Sequence, residues 1–454
     1  MTPARYELEL FSSSNVRLAA AWLVLGVCAL AASGLYSILI VLSRTPVMHE
    51  LIPWTDFFHT ALVVHVDLSV LIWFLAIAGV IWTLCGSDRA AGTGTLALWL
   101  CALGTLLITV APFTGEGHPL MNNYIPVLRN PVFFTGLGLV GGGFSLLILR
   151  SLVSLTGLGF SDGPAALRTG AYASIVAGGL AMLSLALSWY QLEQLAPGLM
   201  PEGRAYFEYL FWGGGHVLQF THTVLLLCAW LWLAQVSGTP LRVPARWTAV
   251  LLLLTALPAA AGLLIYLSSE ILSVGHRLGF TELMRWGGLG SVPLGLLIAH
   301  AVFRRRKTPA EQRPERNALL ASILLFAMGG VLAFMIEGVN VVIPAHYHGS
   351  IVGVTLAFMG LSYHLMPRLG FRPPALGLAS WQPWVYGAGQ LMHILGLAWS
   401  GGYGVKRKTS GAAQGLENLP ELAGMAMMGL GGLIAIIGGI MFILVAIGSM
   451  WPRR

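Results

Sequence analysis

The chain has 454 residues, 56% of them hydrophobic and 9% charged, with a formal net charge of +7. Soluble globular domains carry about 25% charged residues, so this composition excludes a soluble enzyme and defines a polytopic membrane protein. The basic excess belongs to loops and not to a nucleic-acid surface, and no nucleic-acid partner is expected. Four cysteines, Cys28, Cys85, Cys101 and Cys228, lie far apart inside apolar runs, a pattern with neither a disulfide framework nor a zinc spacing. The mixed-sign stretch from Met1 to Arg17 lacks a small-residue cleavage site. It reads as a cytoplasmic tail and not as a signal peptide.

Each bilayer crossing needs roughly 20 apolar residues. Twelve such runs follow one another, at about 17–43, 58–85, 92–113, 131–154, 165–192, 205–236, 247–274, 285–303, 317–340, 345–366, 381–402 and 420–449. No soluble domain or long linker interrupts them, so the expectation is an all-α, single twelve-helix transmembrane domain over residues 1–454. With the N-terminus inside, 17 of the 25 Lys and Arg fall on the inner side and 8 on the outer. The positive-inside rule then places both termini in the cytoplasm, with the chain multi-pass in the inner (cytoplasmic) membrane. Even-numbered spans enter from outside.

In that orientation the histidines gather. His65 lies early in the second span, His216 early in the sixth, His276 at the end of the seventh, and His346 and His348 at the start of the tenth. Five imidazoles from four spans therefore share a depth in the outer half of the membrane, where ionisable groups are costly and usually functional. In His346-Tyr347-His348, two positions on a helix are about 200° apart, so one helix offers an imidazole to a partner on either side. Imidazole suits iron, copper and zinc, and haem iron is commonly held by an axial His. Two metals held back to back across a helix is an arrangement for passing electrons. His300, His364 and His393, in inner or middle parts of spans, and His49, His59 and His118, in outer loops or at their edges, read as structural. His222 is about 120° round the helix from His216 and does not share a ligand with it.

Twelve spans with this histidine layout resemble the catalytic subunit I of the haem-copper oxidoreductase superfamily, which holds oxygen reductases and nitric oxide reductases. The resemblance covers essentially the whole chain. It implies that His65, in Val64-His65-Val66-Asp67-Leu68-Ser69, and His348 are the axial ligands of a low-spin haem, and that His346 is the ligand of a high-spin haem. It further implies that His216, in Trp212-Gly213-Gly214-Gly215-His216-Val217-Leu218-Gln219, and His276 hold a non-haem metal, iron or copper. The expected cofactors are two haems, with b-type the expectation, and that metal.

Two departures shape the functional expectation. Beside His276 stand Gly275 and Arg277, where the family has two adjacent histidines. Arginine stays protonated and cannot ligate. A third ligand or proton relay is then sought in Gln219, one turn along from His216, or in Glu337 and Glu270, taken as the best buried carboxylates. Glu270 lies about 9 Å before His276 along a continuous helix. Both carboxylates could equally be hydrogen-bonded structural groups. Phe220 stands where one oxygen-reductase branch has its redox tyrosine, and Tyr347 and Tyr266 are the nearby candidates for a relocated one. Lys406, Arg407 and Lys408, in the outer loop before the last span, are either solvated or set against the haem propionates.

An oxygen donor on the metal favours iron over copper(I), which with the missing tyrosine implies reduction of nitric oxide to nitrous oxide. The alternatives are a terminal oxygen reductase making water from O2, and a non-catalytic dihaem membrane electron carrier. The absence of a CxxCH motif implies electron delivery by a separate cytochrome c or cupredoxin-type subunit, with a small gas, NO or O2, as substrate and membrane lipid around the bundle.

Overall fold

The structure, a computed structural model, describes residues 4–9, 12–43, 57–115, 117–304, 308–405, 416 and 418–451. Twelve long helices follow in order: α1 (Ser13–Ser43), α2 (Phe57–Cys85), α3 (Ala91–Phe113), α4 (Pro131–Ser154), α5 (Gly163–Glu193), α6 (Arg204–Val236), α7 (Ala245–Ser268), α8 (Val274–Arg304), α9 (Ala310–Phe334), α10 (Val342–Arg368), α11 (Leu376–Gly402) and α12 (Leu419–Met450). Between α3 and α4 a two-stranded hairpin, β1 (His118–Leu120) and β2 (Val127–Arg129), pairs antiparallel. The chain is a multi-pass membrane protein: eleven of these helices are long and apolar enough to cross a bilayer. Two compact units divide it, one comprising Met1–Cys228 with Arg242–Leu297, the other Ala229–Leu241 with Ile298–Arg454.

Helix starts follow local chemistry. Asn130 accepts hydrogen bonds from Val132 N (2.8 Å) and Phe133 N (3.3 Å) ahead of Pro131, and Asp162 accepts from Ala165 N (2.8 Å) ahead of Pro164. A capped residue followed by proline costs nothing, because the proline lacks an N–H that the first turn would leave unpaired. Asn418 and Glu421 form a capping box around Pro420 at the head of α12.

In the first unit, α2 is continuous but carries a π-helical segment, Asp67–Ile72, beginning two residues after His65. Such segments recur at functional sites. Pro258 tightens α7 into a 3-10 turn at Leu257–Ala260, because it removes an internal N–H and crowds the preceding turn. The seventh span differs from expectation: α7 ends at Ser268, and His276 is the third residue of α8. Ser268-Ser269 and Ser273 explain the break, since serine hydroxyls compete for backbone groups. Ser273 Oγ caps α8 by accepting from His276 N at 3.1 Å.

In the second unit, α9 and α10 meet backbone to backbone. A Cβ on Gly349 would lie 2.7 Å from Gly329 Cα, and small residues at a helix crossing permit this approach. Helix α11 is the one of the twelve that is not apolar enough to pass as a span by composition, since it holds Gln382, Gln390 and His393. Its polar groups find partners on its neighbours. Gln382 is fully buried, accepts from the Tyr363 hydroxyl (2.9 Å) and donates to Gly438 O (3.3 Å). Internal pairing of this kind makes such groups tolerable in hydrocarbon.

Candidate functional site

Within the first unit the site is built on α6. Each glycine of Trp212-Gly213-Gly214-Gly215-His216 faces a different neighbour. A Cβ on Gly213 would overlap the Tyr266 hydroxyl of α7, and one on Gly215 would overlap the Tyr124 side chain in the β1–β2 hairpin. On Gly214 it would press to 3.1 Å from Ala181 O of α5. Three glycines thus bring three elements against the turn that carries His216. Its ring donates from Nδ1 to Trp212 O at 2.6 Å, which leaves Nε2 as the available ligand edge.

His276 comes to the same place from α8. Its ring is 5.1 Å from Phe280 one turn on, and the His216 ring is 5.7 Å from that same Phe280. Tyr266 stands 5.0 Å from the His276 ring, its hydroxyl 2.7 Å from Ser188 Oγ on α5. Both ring nitrogens of His276 are buried without a hydrogen-bond partner, and the residue is fully enclosed. A buried imidazole left so is costly and calls for an explanation, and a metal is one that suits it.

Arg277, beside it, turns away: its guanidinium lies 5.6 Å over the Trp212 ring, while Trp212 Nε1 donates to Arg277 O at 3.3 Å. A cavity of about 140 Å³ opens there, lined by Ala205, Glu208, Tyr209, Trp212 and Arg277.

His65, also in the first unit, has Nδ1 ringed by oxygens of α1: Ser33 Oγ at 2.8 Å, Ser37 Oγ at 3.0 Å and Ser33 O at 3.1 Å. Asp67, two residues on, is 1% exposed with both carboxylate oxygens unpartnered. In the second unit His346 donates from Nδ1 to Gly329 O at 2.8 Å, a contact that the Gly329–Gly349 approach makes possible. The His348 ring lies 4.9 Å from His393 of α11, whose Nδ1 donates to Met428 O at 3.0 Å.

His65, His216 and His346 therefore share one signature, Nδ1 held by oxygen and Nε2 left over, which is how metal-binding histidines are oriented. The imidazoles present fit haem and a non-haem metal. Among the described residues no group of three or more His, Cys, Asp or Glu converges on one point.

Gln219 Nε2 donates to Gly215 O of its own helix at 3.2 Å. Glu270 and Glu337 are exposed in turns past the ends of α7 and α9, not buried as the sequence suggested, because both helices stop short of them. Tyr347 is 37% exposed beside His348. Lys406, Arg407 and Lys408 lie outside the described residues.

Tyr124 escaped the sequence reading, and His393, read there as structural, was not linked to His348. Asn122-Asn123 before Tyr124 was a turn signal that went unused, and His393 offered none beyond being a histidine in an apolar run. Burial and the Glu208 carboxylate push the Tyr124 phenol above its ordinary range, so it stays neutral.

This fold defines a class. The chain reaches a TM-score of 0.73 with a haem-copper terminal oxidase solved as a dimer by cryo-electron microscopy, covering 98% of this chain and 85% of that one at 16% identity. It has the haem-copper oxidase subunit I fold. An uncharacterized protein of Rickettsia prowazekii (strain Madrid E) is 30% identical over 97% of each chain, and this chain belongs to that protein's family. An uncharacterized protein of Aquifex aeolicus (strain VF5) is 27% identical across 77% of this chain and 85% of its own. No family model matches the chain.

Proposed function

We propose that this chain is the catalytic subunit of a haem-copper-type respiratory oxidoreductase that reduces a small diatomic gas. The observation that carries the reading is His276, wholly enclosed, with both ring nitrogens unpartnered, packed on the same phenylalanine as His216. His216 and His276 would hold the non-haem metal, His346 a high-spin haem, and His65 and His348 a low-spin haem. Bound together, a haem and a second metal supply electrons and paired open positions for a diatomic molecule.

Dioxygen is the favoured substrate, ahead of the nitric oxide expected from sequence. The case for nitric oxide is weakened because two of its oxygen donors, Glu270 and Glu337, are exposed, and a tyrosine stands beside His276. Reducing O2 to two waters takes four electrons and four protons. Tyr266 would lend one electron with its phenolic proton; the donor partner would restore the electron, and a proton drawn from solvent would return through the Ser188 hydroxyl, 2.7 Å away, as a relay. Ser273 holds the first turn of α8, so that the His276 ring keeps its position. Net electrons come from a reduced cytochrome c or cupredoxin-type partner, and we place the site in the outer half of a cytoplasmic membrane with both termini inside. Nitric oxide reduction is the second reading, favoured by Phe220 and the two-histidine set.

The test is gas consumption by the purified protein with one reduced donor. Oxygen uptake that falls at least tenfold in Tyr266→Phe supports the reading. Nitrous oxide release without oxygen uptake would replace it, and two haems with no stoichiometric non-haem metal would indicate an electron carrier instead.

A further inference from the structure

We infer that Tyr124, at the tip of the outer hairpin, is a positioning residue that clamps the His216 ring. The clamp rests on the proposed metal-binding role of His216. Tyr124 has φ of +66°, a conformation that a bulky L-residue rarely adopts and that costs of order 1–3 kcal/mol. Something must hold it there, and the chain on either side does so. Asn123 donates to the Glu208 carboxylate of α6 twice, from its backbone N at 2.9 Å and from Nδ2. Asn122 Nδ2 donates to Ile125 O, and Ile125 N to Asn123 O at 2.9 Å, which closes the turn.

The strained turn delivers one thing, an aromatic ring. It lies 4.7 Å from the His216 ring and 6.1 Å from Trp212, in space that exists only because residue 215 has no side chain. The Nδ1 bond to Trp212 O sets which edge of the imidazole is presented, and the rings packed on it limit the motion that remains. Tyr124 at 4.7 Å, Trp212 at 4.6 Å and Phe280 at 5.7 Å all pack against it. Glu208, Trp212 and His216 are spaced four apart on one face of α6, so anchor, hydrogen-bond acceptor and clamped ring form one stacked row. Contact with His216 is through the ring and not through the hydroxyl, which separates this role from that of Tyr266.

The experiment uses the full-length protein purified with both haems, measuring retained non-haem metal per haem during dialysis against a chelator. Tyr124→Ala should lose metal roughly 10- to 100-fold faster, the range for losing an outer-shell support, with haem absorbance unchanged. Tyr124→Phe, which keeps the ring, should behave as wild type. Glu208→Gln, which weakens the anchor and leaves the ring in place, should fall between them. Metal retention in Tyr124→Ala equal to wild type overturns the inference. So does a Tyr124→Phe variant as leaky as the alanine, because the hydroxyl would then be the active group. If Tyr124→Ala cannot be isolated with its haems, Glu208→Gln decides alone, and wild-type retention there overturns the clamp. Wild-type protein that carries no non-haem metal refutes the functional reading itself, an outcome distinct from any of these.

Discussion

The two units position their histidines by opposite means. In the first, His216 and His276 come from different helices, and rings of Tyr124, Trp212, Tyr266 and Phe280 fill the space around them. In the second, His346 and His348 come from one helix, and His346 is set by a backbone carbonyl that two facing glycines bring close. Side chains can yield and backbone cannot. The first arrangement can therefore be loosened without unfolding, whereas the second ties ligand geometry to the stability of a helix pair.

The largest contrast should come from adding one methyl group to each region. In Gly349→Ala the new Cβ meets the Gly329 backbone at 2.7 Å, and overpacking of this kind costs about 1–3 kcal/mol or more. A clear drop in the thermal midpoint of the purified protein is expected. In Gly215→Ala the new Cβ overlaps the root of the Tyr124 side chain, so the hairpin turn must shift; a loop yields more readily than a helix pair, so the melt should fall less than in Gly349→Ala while metal is lost. Equal melts for the two variants would break the comparison.

A second contrast concerns the ring nitrogens. His276→Leu removes an imidazole that has no partner in the protein, and replacing an unpaired buried group by an apolar one is near neutral or stabilising. The metal-free protein should melt as wild type or higher, and added metal should no longer stabilise it. His346→Leu instead removes a second hydrogen bond to the Gly329 carbonyl, which keeps its intrahelical partner, at a cost of about 0.5–1.5 kcal/mol. Denaturant melts of metal-stripped protein compare the two directly.

Smaller effects refine the first region. Ser273→Ala removes the cap over His276 and should cost about 1 kcal/mol, read as a lowered unfolding midpoint. Ser33→Ala should cost about 0.5 kcal/mol, because Ser37 Oγ and the Ser33 carbonyl still hold His65 Nδ1. A loss several times larger would show that the Ser33 hydroxyl alone orients that ring.

The bundle was legible because each apolar run had to be a helix: in a bilayer no other single segment can pair its own backbone groups. Even α11, with Gln382 and His393 along it, could be read as a helix. The histidines stood out for a related reason, since ionisable side chains are rare within apolar runs. Carboxylates were harder. Glu270 read as buried on the assumption of a continuous helix, and a serine-rich turn placed it in the open. Asp67, visible in the sequence only as part of the His65 motif, is a fully enclosed acid with neither oxygen paired. Sequence alone does not show which side of a helix a neighbour will cover.

What the sequence determined by itself was the number and order of the helices and the identity of the imidazoles, because hydropathy and residue chemistry are local properties. Tertiary structure alone decided what surrounds those imidazoles: Tyr124 against His216, Tyr266 beside His276, and Gly329 O beneath His346. Those contacts join residues 92, 10 and 17 positions apart. They depend on glycines that make room, a strained turn and a helix break. Packing fixes their outcome, and no periodicity along the chain records it.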